Sequence, residues 1–145
     1  MRGLLGAALA AVASAPLSAS PPVYHPSDFP FPFSDAVQVG DLLILSGQIG
    51  AAPGTTSVVA GGIEPETRQV MANIDASLKR RGLGMDAVVK CTVMLADMKD
   101  WPTFNKIYAT YFTKGRYPAR SALGVNGLAL GAKVEVECWA YSPSK

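Results

Sequence analysis

Two runs of this chain carry residues that could act on a ligand, Tyr117-Pro118-Ala119-Arg120-Ser121 and Lys133-Val134-Glu135-Val136-Glu137. Both read as sheet strands. A guanidinium on a sheet face is costly to desolvate unless it has an anion to hold. Its planar fork fits a carboxylate through two parallel hydrogen bonds, so Arg120 points to a small carboxylate ligand. The competing expectation is that Arg120 and Glu135 simply pair with each other across a contact between subunits.

The rest of the chain must hold those two side chains in place. Its 145 residues suffice for one domain with one core. It is 49% hydrophobic and 17% charged, which is the balance of a folded domain rather than a disordered one. A net charge of +2 is too small to argue for nucleic acid or an anionic membrane as partner. The basic run Lys79-Arg80-Arg81 falls at the end of an expected helix, where cations complement the helix dipole.

Residues 1–20 read as separate from the fold. Met1-Arg2 precedes a small-apolar run, Gly3 to Ala13, and then a Pro-rich stretch, Pro16 to Pro26. This resembles a short bacterial secretory signal, with cuts expected after Ala13 or Ala19. The alternatives are a disordered extension or a start codon placed too early. The apolar run is too short to span a bilayer. The expected organisation is therefore a signal peptide or extension over 1–20, a Pro-rich linker over 21–31 and the domain over 32–145. Export would place the protein in the periplasm or outside the cell; without it the location would be cytoplasmic.

Cys91 and Cys138 both fall in expected strands. Buried free thiols are the expected state, and a disulfide requires that the two strands be neighbours. The single histidine, His25, precedes the domain, so no histidine-based triad or zinc cluster can be assembled. No phosphate-binding glycine loop is present.

Ala36 to Val39 and Leu42 to Gln48 flank Gly40-Asp41, a two-residue hairpin signal. Pro65 and early acidic residues start a helix that runs to about Arg81, with Val70, Ile74 and Leu78 on one stripe and Gly82 beyond its end. Val88 to Leu95 is a strand rich in β-branched residues. Asp100 should cap a second helix with Pro102 in its first turn and Phe104, Ile107, Tyr108, Tyr111 and Phe112 as its core stripe. Ala119 to Val125 and Ala132 to Tyr141 supply the last strands.

Strand alternation sorts these residues into two faces. Leu43, Leu45, Val89, Cys91, Val93, Leu95, Leu123, Val125, Val134, Val136 and Cys138 make an apolar face for the two helices to cover. The expected architecture is thus α+β, two helices on one face of a sheet. Ile44, Ser46, Gln48, Lys90, Thr92, Met94, Arg120, Ala122, Lys133, Glu135, Glu137 and Trp139 make the opposite face. Its mixture of large apolar and charged side chains suggests that another subunit covers it.

Over Pro32 to about Tyr141 the sequence resembles the Rid family of reactive-intermediate deaminases, also called YjgF-like or endoribonuclease L-PSP. The resemblance rests on Pro32-Phe33-Ser34-Asp35-Ala36, Ser46-Gly47-Gln48-Ile49, Glu66-Thr67-Arg68-Gln69-Val70 and Val89-Lys90-Cys91-Thr92-Val93. Asn105 with Tyr108, Pro118-Ala119-Arg120-Ser121 and Val134-Glu135-Val136-Glu137 complete it. It implies a homotrimer of chorismate-mutase-like subunits, with sheets facing an inner barrel and three clefts between subunits. It also implies hydrolysis of enamines and imines such as 2-aminoacrylate and 2-iminobutanoate to 2-oxo acids and ammonia, without a cofactor.

By the same resemblance Arg120 would grip the substrate carboxylate and Glu135 would orient or deprotonate the attacking water. Phe33, Ser46, Gly47, Asn105 and Ala122 would line the pocket. Phe33 stands where the family carries tyrosine and Ala122 where many members carry cysteine, which makes the pocket more apolar. A carboxylate-binding or holdase-like trimer without turnover is the second reading. A ribonuclease is the third, disfavoured by the low net charge and the absence of a histidine within the domain.

Overall fold

The computed structural model describes residues 20–143. The expected leader lies outside them apart from Ser20. Strands β2 (Ser34–Val39) and β3 (Leu42–Leu45) form the expected hairpin, with Val39 opposite Leu42. Gly40 turns it at φ +55°, a left-handed conformation that suits glycine. Strand β1 (Val23–Pro26) pairs antiparallel with β2, so part of the stretch expected to be a linker is an edge strand of the sheet.

Helix α1 (Ile63–Lys79) buries Val70, Ile74 and Leu78 completely, as its stripe predicts. Gly82, at φ +72°, reverses the chain so that the Leu83 N–H donates back to the Leu78 carbonyl at 3.1 Å. Helix α2 (Trp101–Tyr108) carries Pro102 in its first turn. Asp100 makes no capping bond there, contrary to expectation. The chain is already wound by a short turn over Met98–Asp100, and Asp97 caps that turn by accepting from the Lys99 N–H at 2.9 Å.

The remaining strands are β4 (Gln48–Ile49), β5 (Val88–Leu95), β6 (Ala119–Gly124) and β7 (Val134–Tyr141). The sheet order is β1-β2-β3-β7-β5-β6, and β4 also pairs with β7. Only β5 and β6 run parallel, so the sheet is mixed. Both helices pack on one face, where Leu43, Leu45, Val93, Val134, Val136 and Phe104 are fully buried. This is the α+β architecture that the strand and helix alternation predicts. Among the described residues no helix is long and apolar enough to cross a membrane.

Three irregularities change which side chains share a face. The β5–β7 register shifts between Val88 and Lys90, so Val88 enters the core and Val89 is 45% exposed instead of buried. Ile44 pairs with Trp139 but Gln48 with Val136, so the three residues between Ile44 and Gln48 face two of β7. This bulge ends β3 at Leu45 and puts Gln48 in register with the helix-covered face, reversing its expected side.

The third correction concerns the site itself. Arg120 lies opposite Cys91 and Ala122 opposite Val93, both residues of the helix-covered face. Leu123, opposite Met94, takes the open face and is 49% exposed. Alternation in a short edge strand cannot say which set points which way; here α2 offers Arg120 a place.

Cys91 and Cys138 are directly opposite each other on β5 and β7, Cα atoms 4.1 Å apart, and form a disulfide rather than two free thiols. The bond joins the two central strands across the core. Removing it by the Cys91→Ala/Cys138→Ala pair should lower stability by about 2–4 kcal/mol. Urea denaturation checks this, and an unchanged midpoint would show the crosslink to be dispensable.

Candidate active site

Glu135 sits on β7 opposite Met94 of β5 and Ile49 of β4, on the open face. The entry of β7 is anchored from α1: the buried Glu66 carboxylate accepts from the Lys133 N–H at 2.7 Å. From the same helix Asn73 donates to the Ile49 and Ala51 carbonyls at 3.1 and 3.0 Å, which fixes β4. A Cβ at Gly47 would fall onto Glu135 Oε1, so a side chain there would displace the carboxylate. Burial raises the Glu135 pKa above the ordinary carboxylate value, and the neighbouring Glu137 adds to the rise.

Glu135 and Gly47 lie on a cleft of about 590 Å³ that also admits Phe33. The cleft is also lined by Gln48 and Ile49 of β4 and by Gln69, Ala72, Asn73 and Ala76 of α1. Ser46 does not line it. Its hydroxyl donates to the Ser34 carbonyl at 2.6 Å and its N–H to the Asp35 carbonyl at 3.0 Å, so it holds the Phe33-Ser34 segment against the strand break.

Asp35 anchors that segment from the other side, accepting from Ser77 at 2.8 Å, Arg80 at 3.0 Å and Arg81 at 2.8 Å. Burial alone would raise its pKa, but the Ser77, Arg81 and Arg80 donors together hold it below the ordinary value. The two arginines at the end of α1 therefore tie the helix to β2 as well as complementing its dipole.

Arg120 lies elsewhere. It projects from the edge strand β6 toward α2, where Nη2 donates to Asn105 Oδ1 at 2.8 Å. Its guanidinium carbon is 4.7 Å from the ring centroid of Trp101 and 4.7 Å from that of Tyr108. A cation between two aromatic rings is held by their quadrupoles without being neutralised. Among the described residues no carboxylate pairs with it, so most of its donors are free for a ligand. Burial pushes the Tyr108 hydroxyl up to about 12, while Arg120 pulls the other way, so the ring stays a neutral phenol.

The seven residues singled out in the sequence thus separate into two groups. Arg120 and Asn105 are in contact, with the exposed Ala122 two residues along the same strand. Glu135, Gly47 and Phe33 share the cleft, with Ser46 behind it. The expectation that Arg120, Ser46 and Glu135 point to one face is corrected: β5 separates β6 from β7, and Arg120 and Glu135 project from opposite sides of the sheet. Trp101 and Tyr108 are the residues that sequence reading missed around Arg120. Tyr108 was assigned correctly to the core stripe, yet its ring also serves the guanidinium. The signals in the sequence are the Asn105 and Tyr108 motif and the helical spacing of Trp101 and Tyr108 around Asn105.

A family model described as Endoribonuclease L-PSP matches residues 28–142. The chain belongs to this family. The Rid and YjgF proteins are members, so the resemblance carried by the sequence motifs is established. A mouse protein named 2-iminobutanoate/2-iminopropanoate deaminase is 45% identical to this Rid-family chain, over 75% of this chain and 80% of that protein. Reactive Intermediate Deaminase A, chloroplastic, of Arabidopsis thaliana is 44% identical over 75% of this chain and 58% of its own. The crystal structure of a Rid family protein from Yersinia pestis superposes with a TM-score of 0.74 at 40% identity, covering 81% of this chain and 93% of that one. The YjgF product of E. coli gives 0.70 at 35%, over 76% and 87%.

Proposed function

We propose that this Rid-family protein is a hydrolase that deaminates small imine and enamine acids to 2-oxo acids and ammonia. It acts as a homotrimer in which Arg120 and Asn105 of one copy meet the Glu135 cleft of the next. The observation that carries this reading is the placement of an unneutralised arginine at one sheet edge and a carboxylate of raised pKa on the opposite face. Among the described residues neither group has an ion-pair partner. A cyclic contact between copies would bring them onto one substrate. The names of the mouse and Arabidopsis relatives support the same reaction class.

The chemistry asks for positioning and one base. Arg120 holds the substrate carboxylate, which fixes C2 of the protonated imine relative to a water. That water attacks C2 while Glu135 takes its proton, giving a carbinolamine. Glu135 returns the proton to nitrogen, the C–N bond breaks, and ammonia leaves as the hydroxyl loses its proton to form the carbonyl. The sum is one protonated imine and one water giving one 2-oxo acid and one ammonium ion, the hydroxyl proton ending on the departing ammonia. An enamine first takes a proton at C3 to become the imine.

The test generates 2-iminobutanoate from 2-aminobutanoate with an amino-acid oxidase and traps the free imine with semicarbazide. The protein should suppress semicarbazone formation. Binding of 2-oxobutanoate without suppression would instead fit a carboxylate-binding protein. The aromatic pair makes its own prediction: Trp101→Leu should raise KM about three- to tenfold with kcat nearly unchanged, because it loosens Arg120 rather than removing it. A melting curve alongside separates this from loss of fold. The Cys91–Cys138 disulfide also supports work in an oxidising compartment, in line with an exported protein.

A further inference from the structure

Phe29, Phe31 and Phe33 alternate with Pro30 and Pro32. The Phe31 N–H donates to the Phe29 carbonyl and the Phe33 N–H to the Phe31 carbonyl, both at 2.8 Å. Bonds two residues apart close γ-turns, and each proline fixes its own φ, so the segment is held without a neighbouring strand. The outcome is a row of three rings, with centroids 5.9 and 5.7 Å apart. Phe31 and Phe33 are nevertheless 46% and 51% exposed. A pre-formed aromatic row facing water is a surface made to be covered.

What it faces is the cleft of Glu135. Phe29, Phe31 and Phe33 line it together with Gly47, Glu135, Pro53 and, from α1, Ala72 and Ala76. Its volume is about 590 Å³ in one copy, and in the proposed trimer Arg120 and Asn105 of the next copy enter it beside the substrate.

We propose that this aromatic row receives the substrate's side chain, and that the enzyme prefers imines of large apolar or aromatic amino acids over two- to four-carbon ones. The proposal rests on the deaminase reading and specifies its substrate class. With the carboxylate on Arg120 and C2 beside Glu135, the side chain is the part of the substrate left to occupy the cleft. Because turns and prolines already hold the rings, little ordering cost opposes the burial. Each added apolar group in such a pocket changes selectivity about tenfold or more.

The experiment measures kcat/KM from semicarbazide competition with the imines of phenylalanine, leucine and 2-aminobutanoate, for the wild type, Phe31→Ala and Phe31→Leu. The phenyl imine should exceed 2-iminobutanoate by roughly ten- to a hundredfold. Phe31→Ala should shrink that ratio several-fold, and Phe31→Leu should retain most of it. Turnover of 2-iminobutanoate with no preference for the phenyl imine would overturn the proposal while leaving the deaminase reading intact. No turnover of any imine would overturn both. A ratio unaffected by Phe31→Ala, with a changed oligomer mass, would also overturn it and assign the aromatic row to contact between copies.

Discussion

Arg120→Ala should lower kcat/KM for imine hydrolysis by about a hundred- to a thousandfold, since it removes two charge-assisted hydrogen bonds to the substrate carboxylate. The fold should survive. Arg120 stands on an edge strand and, among the described residues, makes no ion pair, so its loss leaves no buried charge there without a partner. Arg120→Lys should fall between the two, because an ammonium between Trp101 and Tyr108 keeps the charge but not the fork. The same variants should lose binding of 2-oxobutanoate in parallel, as measured by calorimetry. Full activity in Arg120→Ala would remove the carboxylate grip from the account.

Glu135→Gln should cost about a hundredfold in kcat with KM little changed, the usual yield of a positioned base. The amide keeps the shape over Gly47 and removes the proton acceptor. The pH profile gives a second readout. A base must be deprotonated to act, so activity should rise with pH through the Glu135 pKa, and burial with Glu137 nearby moves that limb above the ordinary carboxylate range. Glu137→Gln removes the like charge and should shift the limb to lower pH, leaving the part due to burial. An acidic limb that stays put in Glu137→Gln would show that another group controls it.

Much of the fold was readable because long elements repeat their pattern. The α1 stripe of Val70, Ile74 and Leu78, the β5 run from Val88 to Leu95 and the Gly40-Asp41 hairpin each carry a local signal that packing does not override. What could not be read is set between elements. Val89 and Gln48 changed face through irregularities of pairing with β7, and such irregularities have no mark in either strand alone. Whether Cys91 meets Cys138 depends on β5 lying beside β7, which only the sheet order settles.

The site residues were legible by type and motif but not by side. Arg120 was placed with Glu135 because alternation in β6 offers two equal phases, and Leu123 favoured the wrong one. The partner that decides the phase is α2, through Asn105, Trp101 and Tyr108. That correction turns a site expected on one face into one that needs two copies of the chain.

Subunit complementation tests this claim most directly. Arg120→Ala and Glu135→Gln chains, each inactive alone, are co-expressed under different tags, and mixed oligomers carrying both are purified. If Arg120 of one copy and Glu135 of the next act on the same imine, each mixed trimer holds one intact pair among its three clefts, and semicarbazone suppression returns to about a third of wild type. Mixed oligomers as inactive as the two parents, beside an active wild-type control with the same tags, would contradict the shared site.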